Sequence, residues 1–251
     1  MIQMINKEIV TWLPKNRLLV KQLWHSFLSF ITLPFFHSHT DGIKTFFENN
    51  YYIKSDELIF DGSTFEYYSK IERTIDISVL NDYNIIDLGC GLGSLYHWLQ
   101  TKNICAHSFT GLDFAIKNLL IGDNAVLIND NLSNVNNYFF ENTNNIVFMT
   151  NALCYTDDVL FKNALRCMRN NDELIIIDPS SNIFWDAHFN GIKPIYRKVN
   201  RVMQMLIHEE FEIVNILQDY WFAIGGHHFF PLSYCIHAIK MVQGNDFTFH
   251  K

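Results

Sequence analysis

A short glycine-rich segment constrains the fold of this chain more than any other feature. Residues 87–93 are Asp-Leu-Gly-Cys-Gly-Leu-Gly, and they connect the apolar run NIIDL to the helical segment SLYHWLQ. Glycine allows the backbone to turn sharply and to approach a ligand closely, and the following helix presents its N-terminus to that ligand. The segment therefore predicts a ligand-binding loop between a β-strand and an α-helix.

Beyond residue 80, short β-rich runs alternate with helical stretches. The runs are NIIDL (84–88), SFTGL (108–112), AVLI (125–128), NIVFMT (145–150) and ELIIID (173–178). That order is typical of a parallel sheet with crossover helices. Two further runs, FEIVNILQDYWF and SYCIHAIKMV, are joined by an expected loop at residues 223–231 that has no room for a helix. Such a connection predicts an antiparallel pair at the end of the sheet.

The first 80 residues follow a different pattern. They contain three segments with helical periodicity, at residues 16–30, 41–49 and 63–75. The first carries an apolar stripe formed by Leu19, Leu23, Trp24, Phe27 and Phe30. Such a stripe needs a partner surface, and the segment is too short to form a generous core of its own. We therefore predict a helical cap or lid over residues 1–80 and a sheet domain over residues 81–251.

Charge and cysteine usage disfavour several classes of partner. The formal net charge is −7 and no Lys/Arg cluster occurs, which disfavours a nucleic-acid partner because phosphate binding needs a basic surface. The five cysteines are odd in number and form no CxxC pair, which indicates reduced thiols in a cytoplasmic protein rather than a zinc site or disulfides. The N-terminus does not have the pattern of a secretory signal. Long uncharged stretches are interrupted by His, Ser and Pro, so no membrane association is predicted.

An acidic residue supports the glycine loop as a nucleotide-type site. Asp113 closes the next strand, about 20 residues beyond the last glycine, where Rossmann-type sites place a carboxylate that accepts bonds from ribose hydroxyls. A dinucleotide site would need GxGxxG, but here the third glycine is one place early and Ser94 stands where that motif requires glycine. The pattern therefore disfavours a dinucleotide.

The motif acid-x-Gly-x-Gly-x-Gly at residues 87–93 resembles the first motif of the class I S-adenosylmethionine-dependent methyltransferases. The resemblance covers residues 83–242 and includes the antiparallel terminal strand, which nicotinamide-binding sheets lack. It implies an α/β fold with a Rossmann-like, seven-stranded, mostly parallel sheet whose last strand is antiparallel. It also implies S-adenosyl-L-methionine as the cofactor of a catalytic domain.

The resemblance assigns roles around the glycine loop. Asp87 would hold the methionine amino group, and Asp113 would take both ribose hydroxyls. For both aspartates the alternative is a helix cap or turn residue. The loop residues that would face the amino-acid and ribose portions of the cofactor are Gly89, Cys90, Gly91 and Gly93.

Other residues would contact the two ends of the cofactor. Phe114 would flank the adenine, and Asp130, with Asn131 beside it, would accept from the adenine amino group. The segment LINDNLSN is also an ordinary Asn/Asp turn, which is the alternative for Asp130. Asn151, after the fourth predicted strand of the core, would line the methionine moiety.

Two tyrosines lie on the last predicted helix before the sheet. Small-molecule members of the resembled family often bring a tyrosine from this helix over the methionine end of the cofactor, where a ring face can meet the sulfonium. Tyr67 and Tyr68 occupy that place in the sequence. The alternative is plain packing of an aromatic helix face.

The substrate is expected beyond the carboxyl ends of the parallel strands, in the loops at residues 151–158, 179–201 and 223–231. Methyl transfer needs alignment and, for a protonated nucleophile, a nearby base. His227 and His228 are candidate bases, and packing at an aromatic hairpin tip is the alternative. His188 is a further candidate of the same kind.

Three aspartates, Asp157, Asp158 and Asp178, suggest a metal site because one branch of the resembled family holds magnesium with carboxylates beyond strands four and five. Asn151 stands in the first turn after strand four, and Pro179 and Ser180 follow Asp178, so that arrangement is not reproduced. We therefore predict no metal.

The leading hypothesis is transfer of a methyl group from S-adenosylmethionine to an oxygen or nitrogen of a small molecule, in specialised metabolism. A second hypothesis keeps the cofactor but transfers or cyclises its aminocarboxypropyl arm, and a third is a non-catalytic binding module. Protein and nucleic-acid methylation are disfavoured because residues 151–154 are Asn-Ala-Leu-Cys rather than an NPPY-type tetrad. Nothing in the sequence indicates the acceptor or the oligomeric state.

Overall fold

A computed structural model describes residues 62–114, 116, 118–139, 144–180, 195–224 and 227–241. For residues 62–67, 220–224 and 227–232 only the backbone is described. The predicted helices at 16–30 and 41–49 lie outside the described residues.

Eight strands form a single sheet in the described part of the chain, with the order β3-β4-β2-β1-β5-β6-β8-β7. Strands β1, β2, β4, β5 and β6 are parallel to one another, while β8 is antiparallel to β6 and β7 is antiparallel to β8. This confirms the predicted parallel sheet and its terminal antiparallel pair. The strands are β1 Asn84–Leu88, β2 Ser108–Asp113, β3 Leu119–Gly122, β4 Ala125–Asn129, β5 Asn145–Thr150, β6 Glu173–Pro179, β7 Phe211–Ile224 and β8 His227–Lys240.

Strand β3 was not predicted, so the expected count of seven strands was one too low. It forms a hairpin with β4 in which Gly122 pairs with Ala125, which leaves Asp123 and Asn124 as a two-residue turn. Asp and Asn next to a glycine are typical of such turns. The antiparallel edge strand replaces the crossover helix that alternation predicted between β2 and β4.

Four α-helices occur in the described ranges, and they are α1 Gly62–Thr74, α2 Ser94–Thr101, α3 Asp158–Cys167 and α4 Val199–His208. Short 3-10 segments span Ile77–Asp82, Leu132–Tyr138 and Leu153–Tyr155. Asp157 caps α3, because its Oδ1 accepts from the Leu160 N–H at 2.7 Å. Within the same ranges no helix combines the length and the apolar character that a membrane span requires.

Two apolar cores lie on opposite faces of the sheet, because alternate side chains of a strand point to opposite sides. Ile85, Phe148 and Ile175 pack with α1 and α2 on one side, here called the α1/α2 face. The residues next to them along the strands pack with α3 and α4 on the other side, the α3/α4 face. The same alternation places Asp87 on the α1/α2 face and Asp178 on the α3/α4 face.

Helix α1 packs directly on the sheet, although it falls inside the predicted cap range. Ile71 is buried in the core of the α1/α2 face. The Thr74 hydroxyl hydrogen-bonds to the Cys235 Sγ of β8 at 3.3 Å, and Lys70 forms an ion pair with Asp219 of β7 at 3.1 Å. A cap over residues 1–80 remains a prediction, since residues 1–61 lie outside the described part.

The β7–β8 hairpin extends well past the rest of the sheet. The last pair between β6 and β8 joins Pro179 and Ser233, but β7 and β8 continue to pair as far as Ile224 and His227. Six residues at about 3.3 Å each correspond to roughly 20 Å of additional hairpin. The expected loop over 223–231 was therefore wrong, because most of it is paired strand.

Candidate cofactor site

The glycine loop adopts a backbone conformation that favours glycine. Gly89, Gly91 and Gly93 have φ values of 75°, 52° and 79°. At Gly89 an added Cβ would lie only 2.5 Å from the Cβ of Ala152, so both the backbone angle and the available space exclude a side chain. Gly93 is the N-cap residue of α2. The predicted loop between a strand and a helix N-terminus is thus confirmed.

Asp113 meets the loop at the carboxyl edge of the sheet, the edge at which the parallel strands end. The Gly91 N–H donates to Asp113 Oδ2 at 3.0 Å. Gly89 and Cys90 also donate their N–H groups to the carbonyl of Leu112, at 2.8 and 3.2 Å. The loop is therefore fixed to the end of β2, and the acid that the sequence spacing selected lies beside it. Phe114 follows in the next turn and is half-buried.

Asp87 is a buried carboxyl beneath the loop, with an exposed fraction of 2%. Burial, and then the neighbouring charge of Asp113, raise its pKa to about 8. No Lys, Arg or His among the described residues forms an ion pair with Asp87. A cationic ligand group at this position would stabilise the ionised carboxylate.

Tyr68 brings helix α1 into the same site. Its ring lies 5.5 Å from the ring of Trp98, and its hydroxyl forms a hydrogen bond with the side chain of Ser94. Burial and the charge of Asp87 raise the pKa of this tyrosine. Ser94 was noted in the sequence only as a departure from the dinucleotide motif, and its contact with Tyr68 was missed. The Tyr67 side chain lies outside the described part.

Cys90 supports the loop from beneath. Its side chain is buried, and an added Cβ on Gly111 would lie 2.7 Å from the Cys90 Sγ. Burial raises the pKa of this thiol, with further contributions from the charges of Asp87 and Asp113. The side chain therefore packs against β2 as a neutral thiol, and the predicted ligand contact of Cys90 would have to be made by its backbone.

Asp130 organises its own turn. Its Oδ1 accepts from the Asn131 N–H at 2.7 Å and from the Asn134 side chain at 2.8 Å. Its Oδ2 accepts from the Tyr138 hydroxyl at 2.6 Å, and these three hydrogen bonds lower its pKa. Asn131 in turn accepts from the Ser133 N–H at 3.0 Å. These hydrogen bonds agree with the alternative interpretation, in which Asp130 stabilises an Asn/Asp turn. The contact of Asp130 with adenine stays a prediction.

Asn151 follows β5 at the same edge of the sheet. It is exposed, has a φ of 54°, and donates its N–H to the Ile177 carbonyl at 2.7 Å. The preceding residue, Thr150, lies on the α1/α2 face with Asp87 by strand alternation. Its buried hydroxyl has no hydrogen-bond partner in the described ranges. Sequence analysis missed Thr150, although its place at the end of a core strand was visible.

The structure describes the candidate bases only in part. His227 and His228 pair with Ile224 and Ala223 at the tip of the hairpin, beyond the carboxyl edge. Only their backbone is described, and His188 lies outside the described residues. Their catalytic roles therefore stay predictions.

Two of the three aspartates considered for a metal have other partners. Asp157 caps α3. Asp158 forms ion pairs with Arg197 at 2.7 Å and with Arg201 at 2.5 Å. Within the part of the chain that the structure describes, no group of three or more His, Cys, Asp or Glu side chains is arranged to hold a metal ion.

The fold can be compared with known proteins. No known family's sequence profile matches the chain, and no characterised protein matches it in sequence. Among solved structures it is similar to magnesium protoporphyrin IX methyltransferase from Synechocystis PCC 6803 with bound S-adenosylmethionine. The TM-score is 0.56 at 13% identity, over 81% of this chain and 98% of that one.

Two further structures are similar. An S-adenosylmethionine-dependent methyltransferase from Archaeoglobus fulgidus matches with a TM-score of 0.52 at 13% identity, over 70% of this chain and 94% of that one. Human N-acetylserotonin methyltransferase in complex with S-adenosylmethionine matches with a TM-score of 0.51 at 12% identity, over 81% of this chain and 55% of that one. The chain therefore has the fold of the class I S-adenosylmethionine-dependent methyltransferases.

Proposed function

We propose that this protein is an enzyme that transfers a methyl group from S-adenosylmethionine to an oxygen or nitrogen atom of a small molecule. The observation that carries the proposal is the meeting of Asp87, Asp113 and the glycine loop at the carboxyl edge of the sheet. There the Gly91 N–H already donates to Asp113 at 3.0 Å. Ligands of open α/β sheets bind at this edge.

The residues present fit S-adenosylmethionine at both charged and polar positions. Asp113 offers a carboxylate for the two ribose hydroxyls. Asp87, buried and with a pKa raised to about 8, suits the methionine ammonium, because a nearby cation favours the ionised carboxylate. Tyr68 and Trp98 close the α1 side of the site with buried aromatic rings.

The cofactor, when bound, supplies a methyl group on a sulfonium, and the reaction is an in-line displacement. The chain then has two tasks, which are to align the acceptor with the methyl carbon and to exclude water. An acceptor hydroxyl or ammonium must also lose a proton to a base. His227 or His228 would accept that proton, with His188 as a further candidate.

Charge and fold similarity support a small-molecule acceptor. The net charge of −7 and the sequence without a Lys/Arg cluster disfavour a nucleic-acid acceptor. Two of the similar structures are named for porphyrin and N-acetylserotonin methylation. The cysteines Cys90, Cys105, Cys154, Cys167 and Cys235 are free, which supports the proposed cytoplasmic location.

Mass spectrometry of the nucleoside product tests this proposal. The protein is incubated with S-adenosylmethionine and a metabolite extract, and a methyltransferase releases S-adenosylhomocysteine together with a product heavier by one methyl group. Release of methylthioadenosine would instead identify chemistry of the aminocarboxypropyl arm. An unchanged cofactor with every extract, despite tight cofactor binding, would favour a binding module.

A further inference from the structure

Three buried polar side chains lie near the carboxyl end of β6. Asp178, Ser180 and Tyr234 have exposed fractions of 0%, 1% and 0%. Asp178 Oδ2, Ser180 Oγ and the Tyr234 hydroxyl have no hydrogen-bond partner among the described residues. Buried polar atoms in folded proteins nearly always have a partner, and leaving one without a partner is unfavourable. Three such atoms together indicate that a polar group from outside the described chain completes the cluster.

The three groups share one face of the sheet. Asp178 and Tyr234 are directly opposite each other in the antiparallel β6–β8 pair. Side chains opposite each other in such a pair have Cβ atoms about 5 Å apart. Ser180 is two residues beyond Asp178 in extended backbone, so it points to the same side. All three therefore lie on the α3/α4 face, opposite to the face that carries Asp87. In the sheet order Asp178 is on β6, two strands from β1, and Tyr234 is on β8, three strands from β1.

The neighbouring arginine does not satisfy the cluster. The Arg197 guanidinium donates to the carbonyls of Leu153, Thr156 and Ile195 at 2.6 to 3.1 Å and to Asp158 at 2.7 and 2.9 Å. These contacts occupy its donors, and they hold the chain segment after β6 against the segment after β5. Arg197 therefore places a positive charge near Asp178 but has no N–H group left to donate to it.

The local charges select the kind of group that fits. Asp158 pairs with both Arg197 and Arg201, which leaves one positive charge that ionised Asp178 would balance. Burial raises the pKa of Asp178 to about 8, while the Cys154 N–H and the charge of Arg197 act in the opposite direction. With Asp178 ionised, the two aspartates and two arginines together carry no net charge. With Asp178 protonated, the same four side chains carry one positive charge. Neither state attracts a cation.

We propose that Asp178, Ser180 and Tyr234 form the site that holds a hydroxyl group of the small-molecule acceptor. A hydroxyl has one donor and two lone pairs, so it can donate to Asp178 Oδ2 and accept from the hydroxyls of Ser180 and Tyr234. The site lies at the same sheet edge as the cofactor site and beside the β7–β8 hairpin. This inference rests on the proposed function, and it narrows the substrate class to molecules that carry a neutral hydroxyl.

Three fluorinated probes of nearly the same shape test the site. They are 4-fluorobenzyl alcohol, 4-fluorotoluene and 4-fluorobenzylamine, which present a hydroxyl, a methyl and an ammonium group. Binding is measured by fluorine NMR, with and without S-adenosylhomocysteine. The alcohol is expected to bind about tenfold or more tightly than the other two, because it alone satisfies all three atoms.

The double variant Tyr234→Phe/Ser180→Ala should reduce that preference to about twofold. Removal of hydroxyls that lack protein partners leaves apolar groups of similar shape, so the variant is expected to fold. Tyr83→Phe is the matched control, since the Tyr83 hydroxyl donates to Glu173 at the opposite edge of the sheet. It should keep the full preference.

Equal binding of the alcohol and 4-fluorotoluene to the parent protein would overturn the inference, and so would a preference that survives in the double variant. A crystal structure in which only a buried water contacts Asp178, Ser180 and Tyr234, and the alcohol binds elsewhere, would also overturn it. The affinity for S-adenosylhomocysteine is measured in a separate experiment. Failure of the parent protein to bind S-adenosylhomocysteine counts against the proposed function, while the hydroxyl preference is still decided without cofactor.

Discussion

The backbone N–H of Gly91 donates a hydrogen bond of 3.0 Å to Oδ2 of Asp113, 22 residues further along the chain. This bond joins the loop after β1 to the end of β2. One Asp113 oxygen is thereby used to hold the loop, and the carboxylate is fixed in position before any ligand arrives. In the proposed cofactor site, Asp113 and the glycine loop are therefore already held together without a ligand.

Replacement of Asp113 by Ala should weaken S-adenosylhomocysteine binding by about 1 to 3 kcal/mol, the range for leaving hydroxyls without a charged acceptor. Isothermal calorimetry measures the loss. Asp123→Ala, in the exposed β3–β4 turn, is the matched control and should bind like the parent protein. Undiminished affinity in Asp113→Ala would remove this residue from the site.

Replacement of Gly89 by Ala should lower the free energy of unfolding by at least about 2 kcal/mol, because a positive φ and a steric clash act together. The added Cβ would lie 2.5 Å from the Ala152 Cβ. The double variant Gly89→Ala/Ala152→Gly removes the clash but not the backbone strain, so it should recover part of the loss in denaturant unfolding. No recovery would show that the clash is not the cause.

Asp87 should release a proton when the cofactor binds. Its pKa is raised to about 8 in the ligand-free protein, so the carboxyl is mostly protonated at pH 7. A bound ammonium lowers that pKa and ionises the group. Calorimetry of S-adenosylhomocysteine binding in buffers of different ionisation enthalpy measures the released proton. Asp87→Asn should abolish the release and Asp130→Asn should preserve it, and the opposite pattern would contradict the assignment.

The same carboxyl should make the stability of the ligand-free protein depend on pH. Its folded pKa of about 8 is above the ordinary value of 3.8, so the folded state is favoured in the protonated form. This contribution is fully present below about pH 4 and is lost as pH rises through 8. The loss from pH 5 to pH 9, measured by denaturant unfolding, should therefore be smaller in Asp87→Asn than in the parent protein. An identical loss in both proteins would argue against the raised pKa.

His227 or His228 should affect turnover more than cofactor affinity. A general base typically contributes about 100-fold or more to rate, so the alanine variant of the active histidine should lose that much kcat with the identified acceptor. His208→Ala, an exposed position on α4, is the control. If both single variants turn over normally, the two histidines are packing residues of the hairpin.

The strands of the core were predictable because each is a buried apolar run bounded by turn residues. Strand β3 was not, since its Leu119 and Leu120 are 55% and 72% exposed and show no inside–outside alternation. The glycine loop and Asp113 were found through local spacing. The pairing of Asp178 with Tyr234, 56 residues apart in sequence, depends on the register of strands β6 and β8, which no local pattern contains.

The hydrogen bond between Tyr68 and Ser94 also could not be predicted from a local sequence pattern, because it depends on how α1 packs against α2. Sequence pattern placed Tyr68 on a helix before the sheet but did not determine which face of that helix was buried. The length of the β7–β8 hairpin was also missed. Pro231 and the glycine pair at 225–226 favoured a loop, whereas strand pairing continues up to Ile224 and from His227 onward.

Calorimetric titration of the full chain with S-adenosylmethionine, S-adenosylhomocysteine and NAD tests directly whether the glycine loop binds an adenosyl cofactor. The site formed by Asp87, Asp113 and the glycine loop predicts micromolar binding of the first two ligands, with one site per chain. It predicts no measurable binding of NAD, since the loop does not follow the dinucleotide pattern. Tight, selective binding of NAD without binding of either adenosyl ligand would show that the loop is a dinucleotide site and that the cofactor assignment is wrong.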